Sequence, residues 1–113
     1  MIKLTLAEIV AAMRGRPWGE LPTVSVGGVS TDSRSATPDD LFFAIPGERY
    51  DGHDFVAAAL RRGAVAAVVA GSRAGRVEAQ LRESGVPQAR GALLIEVDDT
   101  VAALGRLAAY HRG

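Results

Sequence analysis

Two short polar segments interrupt an otherwise apolar chain, and each carries side chains able to hold a polar ligand. The first is Val29-Ser30-Thr31-Asp32-Ser33-Arg34. Alternate side chains of an extended segment share a face, so Thr31 and Ser33 would point one way and Asp32 and Arg34 the other. Two hydroxyls on one face can bond a diphosphate or the edge of a pyrimidine. The plain alternative, which composition favours, is a turn started by Asp32 and closed by an Asp32–Arg34 pair. The second segment is Gly47-Glu48-Arg49-Tyr50-Asp51-Gly52-His53. It follows a buried strand and precedes a helix, the place where open α/β sheets bind ligands. Gly47 and Gly52 would let the backbone approach a ligand closely. Arg49 offers a fork for phosphate, Tyr50 a stacking surface, and Glu48 or Asp51 an acceptor for a base N–H or a ribose hydroxyl. A solvated loop with a turn at Asp51-Gly52 explains the same residues equally well.

Bond-making chemistry has no obvious residues, and none is assigned a catalytic role. Gly71-Ser72-Arg73-Ala74-Gly75-Arg76 bears glycines but lacks the lysine of a G-x-x-x-x-G-K-[ST] phosphate loop. Lys3 is the only lysine and precedes the first helix, which argues against a lysine-based triphosphate site. His53 and His111 stand far apart in a chain without cysteine, so no metal site is expected. A lone histidine after a glycine serves more often in capping or packing than in catalysis. Formal net charge is zero, which leaves no basic excess to recruit nucleic acid or a membrane surface.

The elements that would position these residues are legible from periodicity and capping. Thr5-Leu6-Ala7-Glu8 has the form of a capping box, and Leu6, Ile9, Val10 and Met13 share one face of the helix it opens. Gly15 is expected to end that helix, with a loop over residues 16–19. Residues 23–26 and 29–33 read as extended, and residues 40–45 as a buried strand. Asp54 is the expected N-cap of a helix through Arg62, with Phe55, Ala58 and Ala59 inward. Ala64 to Ala70 is a continuous apolar run, the pattern of a strand covered on both faces. A helix over residues 74–84, a strand over 91–97 and a helix over 100–111 complete the order. Asp98 or Asp99 would cap the last helix, Val101, Leu104, Leu107 and Ala108 would face inward, and Gly113 would sit just past its end. Strands and helices thus alternate, which points to an α/β fold with a small, mostly parallel sheet flanked by helices.

At 113 residues, 48% of them hydrophobic, the chain suits one domain with a real core, spanning 1–113. No signal peptide or membrane span is visible, and a chain without disulfides is expected in the cytoplasm.

The polar segments and their neighbours resemble the Mur ligase family, ATP-dependent enzymes that extend the peptidoglycan stem peptide. The matching stretches are Ser30-Thr31-Asp32-Ser33-Arg34, the run from Pro38 to Gly47 containing Asp40-Leu41-Phe42-Phe43-Ala44, the run Glu48 to Phe55, Gly63-Ala64-Val65-Ala66, and Val97 to Gly105. The form of Gly47 to Phe55 and the Asp98-Asp99-Thr100 ending are more similar to the MurF type, which adds D-alanyl-D-alanine to UDP-N-acetylmuramoyl-tripeptide. A MurE-type module, adding a diamino acid, is the alternative within the family. A stand-alone nucleotide-sugar-binding or interaction module is the alternative outside it. The resemblance implies an α/β domain of the Mur ligase N-terminal, UDP-binding type. It implies substrate contacts at Thr31, Ser33, Glu48, Arg49 and Tyr50, with Asp32, Arg34, Asp51, Gly52 and His53 shaping the site. It also implies that this chain alone is inactive and holds no cofactor. ATP and Mg2+ would serve the full-length enzyme, through central and C-terminal domains expected to be absent here.

Overall fold

A computed structural model describes residues 4–21, 23–84 and 93–112. Its elements run β1 (Leu4–Thr5), α1 (Leu6–Met13), β2 (Arg16–Pro17), β3 (Ser25–Val26), β4 (Gly28–Ser30) and β5 (Asp40–Phe43). A 3-10 turn (Gly52–Phe55) then leads into α2 (Val56–Arg61), followed by β6 (Ala66–Ala70), α3 (Gly71–Ser84), β7 (Leu93–Val97) and α4 (Thr100–Arg112). The expected Gly91 strand start and the Gly113 helix end lie outside the described residues.

The apolar run ending at Ala70 becomes the middle of a five-stranded sheet of order β2-β7-β6-β5-β4. β4, β5, β6 and β7 run parallel, and β2 pairs antiparallel with β7 at one edge. β1 and β3 form a separate two-stranded pair. Period-two alternation sends Leu41, Phe43, Val68, Ile95 and Val97 to one face, against α1 and α4. Phe42, Ala44, Ala67, Val69 and Leu94 go to the other, against α2 and α3. Layers on both faces explain why β6 has no polar side: Ala66 to Val69 are all 0% exposed. Fully burying Phe42 or Phe43 stabilises the fold by about 2–3 kcal/mol each. Among the described residues no helix is long and apolar enough to cross a membrane.

Several elements form for the local reasons the sequence suggests. Thr5 Oγ1 accepts the Glu8 N–H, and Glu8 Oε1 accepts the Thr5 N–H, both at 3.1 Å. Leu6, Ile9, Val10 and Met13 are all buried. Asp99 caps α4, its Oδ1 accepting the N–H groups of Val101 and Ala102.

Other expectations are corrected. The left-handed residue that ends α1 is Arg14 (φ 58°), not Gly15. The Arg14 N–H donates to the Ala11 carbonyl and the Gly15 N–H to the Val10 carbonyl, the Schellman pattern. Gly15 is needed for space, because a Cβ there would stand 2.6 Å from Ile95 Cγ2. The expected loop over residues 16–19 begins as β2, whose Pro17 is tolerable at a sheet edge. On α4, Val101 and Ala108 face solvent while Ala103 and Leu107 are buried. The register set by the Asp99 cap turns Ala103 and Leu107, rather than Val101, toward α1.

Candidate functional site

The parallel strands β4 and β5 end side by side, and the chain leaves each in a polar bend. β4 stops at Ser30, three residues short of the expected extended segment. Side chains stop it. Ser30 Oγ donates to the Asp32 carbonyl at 2.8 Å, and Asp32 Oδ1 accepts the Arg34 N–H at 2.9 Å. These local bonds replace the ladder with a turn, which the Ser35 N–H closes by donating to the Asp32 carbonyl at 3.1 Å. The Arg34 guanidinium returns to Asp32 through Nε and a terminal nitrogen. That pairing holds the Asp32 carboxyl below its usual range and raises Arg34. The alternating-face picture of Thr31 and Ser33 therefore fails, and the turn with an Asp32–Arg34 pair is what forms.

The second bend leaves β5 and closes on itself. Pro46 and Asp51 form an isolated antiparallel bridge. Asp51, not Asp54, is the capping residue: its Oδ1 accepts the His53 N–H at 3.0 Å and opens the 3-10 turn before α2. Phe55 is consequently half-exposed rather than inward, and Val56 and Ala59 take the core positions.

Between the bends lies a cavity of about 750 Å³. Thr31, Asp32, Ser33 and Arg34 form one wall, and Tyr50 and Gly52 belong to the facing bend. Phe42, Ile45, Phe55 and Ala58 supply an apolar floor. Tyr50 and Phe55 meet edge to face with centroids 6.1 Å apart, an arrangement aromatic pairs favour. Volume and mixed lining suit a small-molecule site at the C-terminal ends of parallel strands. Glu48 and Arg49 are exposed on the bend and do not line this cavity.

Asp51 and His53 are committed inside the protein. His53 is fully buried; its Nδ1 lies 2.6 Å from Asp51 Oδ1, and its Nε2 accepts the Ala70 N–H at 3.0 Å. Asp51 also pairs with Arg73 and, at 3.4 Å, with Arg76, which reaches Asp54 at 3.3 Å. Burial first, then the Arg76 charge, pushes His53 below its ordinary pKa, and Asp54 opposes the shift.

Sequence reasoning missed the apolar floor and the α3 arginines. Asp51 and Asp54 are spaced three apart, as are Arg73 and Arg76, and that matched spacing was the available signal. Among the described residues no group of three or more His, Asp or Glu could hold a metal ion. The start of α3 lacks lysine, and a Cβ on Gly71 would meet Glu96 Oε2 at 2.8 Å.

The chain is 36% identical over 112 residues to the UDP-N-acetylmuramoyl-tripeptide--D-alanyl-D-alanine ligase of Escherichia coli, covering 99% of this chain and 21% of that protein. It is 36% identical over 95 residues to the UDP-N-acetylmuramoyl-L-alanyl-D-glutamate--2,6-diaminopimelate ligase of Rhizobium meliloti, covering 84% of this chain and 17% of that protein. The fold is similar to the crystal structure of MurF from Acinetobacter baumannii, with a TM-score of 0.73 and 29% identity over 97% of this chain and 21% of that one. The chain thus spans about a fifth of the length of these proteins. The profile described as "Mur ligase family, catalytic domain" matches residues 25–112, and on that match the chain belongs to the Mur ligase family.

Proposed function

We propose that this chain is the substrate-anchoring domain of an ATP-dependent peptidoglycan-precursor ligase of the MurF type. It would hold the UDP end of UDP-N-acetylmuramoyl-tripeptide while the enzyme adds D-alanyl-D-alanine. The observation that carries this reading is the cavity where Thr31 to Arg34 face Tyr50 and Gly52 across an apolar floor. The Thr31 and Ser33 hydroxyls suit a diphosphate and ribose, and the Tyr50–Phe55 corner suits the face of a pyrimidine. Asp32, Arg34, Asp51, Gly52 and His53 shape this site rather than touch the ligand. In this reading Glu48 and Arg49 contact the substrate from the open side of the bend when other domains enclose the ligand.

Binding a remote, unreacting part of a substrate positions its reactive carboxylate elsewhere. ATP and Mg2+, and the phosphorylation of that carboxylate, belong in this reading to central and C-terminal domains outside these 113 residues. The setting is the cytoplasm, where the soluble precursor is built. A MurE-type role, adding a diamino acid, is the second reading, favoured by the likeness to diaminopimelate ligases. Both types share the UDP end, so they predict the same ligand here.

Calorimetric titration of the chain with UDP-N-acetylmuramic acid, UDP and UMP tests the proposal. Weak, saturable binding to the first two and loss of affinity with UMP are expected. No binding to any of the three at millimolar ligand would sink it.

A further inference from the structure

His53 is fully buried, yet nucleotide-sugar binding makes no direct use of it. Its two ring nitrogens address different parts of the fold. Nδ1 faces Asp51 Oδ1 at 2.6 Å, and Nε2 accepts the backbone N–H of Ala70 at 3.0 Å. Ala70 is the last residue of β6, and α3 opens at the next residue. A nitrogen that accepts an N–H carries no hydrogen, so the hydrogen of the neutral ring sits on Nδ1 and points to Asp51. Asp51 in turn closes the bend by its bridge to Pro46 and pairs with Arg73 of α3. One imidazole in one tautomer therefore ties the bend to the end of the central strand.

We propose that His53 is a positioning residue that locks the Pro46–Asp51 bend onto the junction of β6 and α3, and so fixes where Tyr50 stands at the cavity without touching the ligand. This rests on reading the cavity as a nucleotide-sugar site. The charged groups facing the ring are Asp51 on the bend, Asp54 on the following turn, and Arg73 and Arg76 on α3. Protonating Nε2 would set two donors against each other where the Ala70 bond now stands. The bend would lose its hold on the sheet. The diphosphate of a UDP-sugar does not titrate near neutrality, so acid weakening of binding there would originate in the protein.

Two variants separate the halves of the bridge. His53→Gln keeps an acceptor within reach of Ala70 and loses the donor to Asp51. His53→Asn keeps a donor to Asp51 and is too short for Ala70. Each is titrated with UDP-N-acetylmuramic acid beside the wild-type chain from about pH 7.5 down to the acid limit of folding, a range that extends below ordinary histidine titration because burial depresses His53. Circular dichroism checks folding, and 15N-edited imidazole spectra report the wild-type tautomer without ligand.

The wild type is expected to show the Nδ1–H tautomer and a protected Ala70 amide, and to bind less tightly at the acid end. Both variants are expected to bind about three- to tenfold more weakly at the upper pH, each having lost one buried hydrogen bond, and to lose the acid dependence. Wild-type affinity in both folded variants, or an Nε2–H tautomer, would overturn the clamp. If neither variant folds, the tautomer and the Ala70 amide decide: a rapidly exchanging amide counts against the bridge. If the wild type has the expected tautomer but binds no UDP-sugar, the nucleotide-sugar reading fails and the positioning role fails with it, while the bridge itself stands.

Discussion

The Gly52 N–H donates to the Ile45 carbonyl at 3.0 Å, and a Cβ on Gly52 would lie only 2.6 Å from the Ile45 nitrogen. The bend after β5 thus folds back onto its own strand with backbone against backbone. No flexible side chain stands there to give way. The close approach places Tyr50 and Gly52 at the cavity opposite Thr31 to Arg34.

Gly52→Ala is therefore expected to destabilise the chain by about 1–3 kcal/mol, the usual cost of forcing extra atoms into a packed site. Urea denaturation measures it. Because the backbone must shift at the cavity itself, weaker binding of UDP-N-acetylmuramic acid should accompany the loss. A fully stable Gly52→Ala protein would show that the approach is not tight.

Ser33 and Arg49 are expected to differ in their effect on binding. Ser33 is buried at the cavity wall, whereas Arg49 is exposed and off the lining. Ser33→Ala should weaken UDP-sugar binding by about three- to tenfold, the worth of one ligand hydrogen bond. Arg49→Ala should change binding in this chain by no more than about twofold, as rim charges usually do. Calorimetry on both variants checks the order, and a larger effect at Arg49 would move the site outward along the bend.

The pH dependence of stability follows from His53. Its folded-state pKa lies below 6.5, chiefly through burial. The unfolded chain therefore takes up the proton more readily than the folded one. The stabilising contribution is complete above pH 6.5 and is lost as pH falls from there through the depressed folded value. Thermal unfolding of His53→Gln beside the wild type should show a Tm gap that narrows over that acid range. A gap that widens with acid would mean that the ring is charged in the folded state.

Much of the fold was legible because its causes are local. The capping box of Thr5 and Glu8, the apolar stripe of α1, the Asp99 cap and the unbroken run through β6 need only neighbours in sequence. Arg14 at the end of α1 was less visible, since glycine is the usual left-handed residue and Gly15 stood beside it. Pairing of Arg16–Pro17 with β7 joins residues about 80 apart and leaves no local trace. At the site, the hydrogen bonds of Ser30 and Asp32 overrode strand alternation, so Thr31 to Arg34 line the cavity for a different reason than sharing a face. Asp51 overtook Asp54 as the cap because a 3-10 turn intervened. The Asp51–Arg73 and His53–Ala70 contacts cross from the bend to α3 and β6, and only the three-dimensional fold brings those residues together.

The most direct measurement is a 1H–15N titration of the chain with UDP-N-acetylmuramic acid. Saturable shifts are expected at Thr31 to Arg34, Ile45, Tyr50, Gly52 and Phe55, with Trp18 and the outer face of α4 unmoved. Shifts confined to α1, α4 and the β2 edge, leaving both bends unperturbed, would contradict the account.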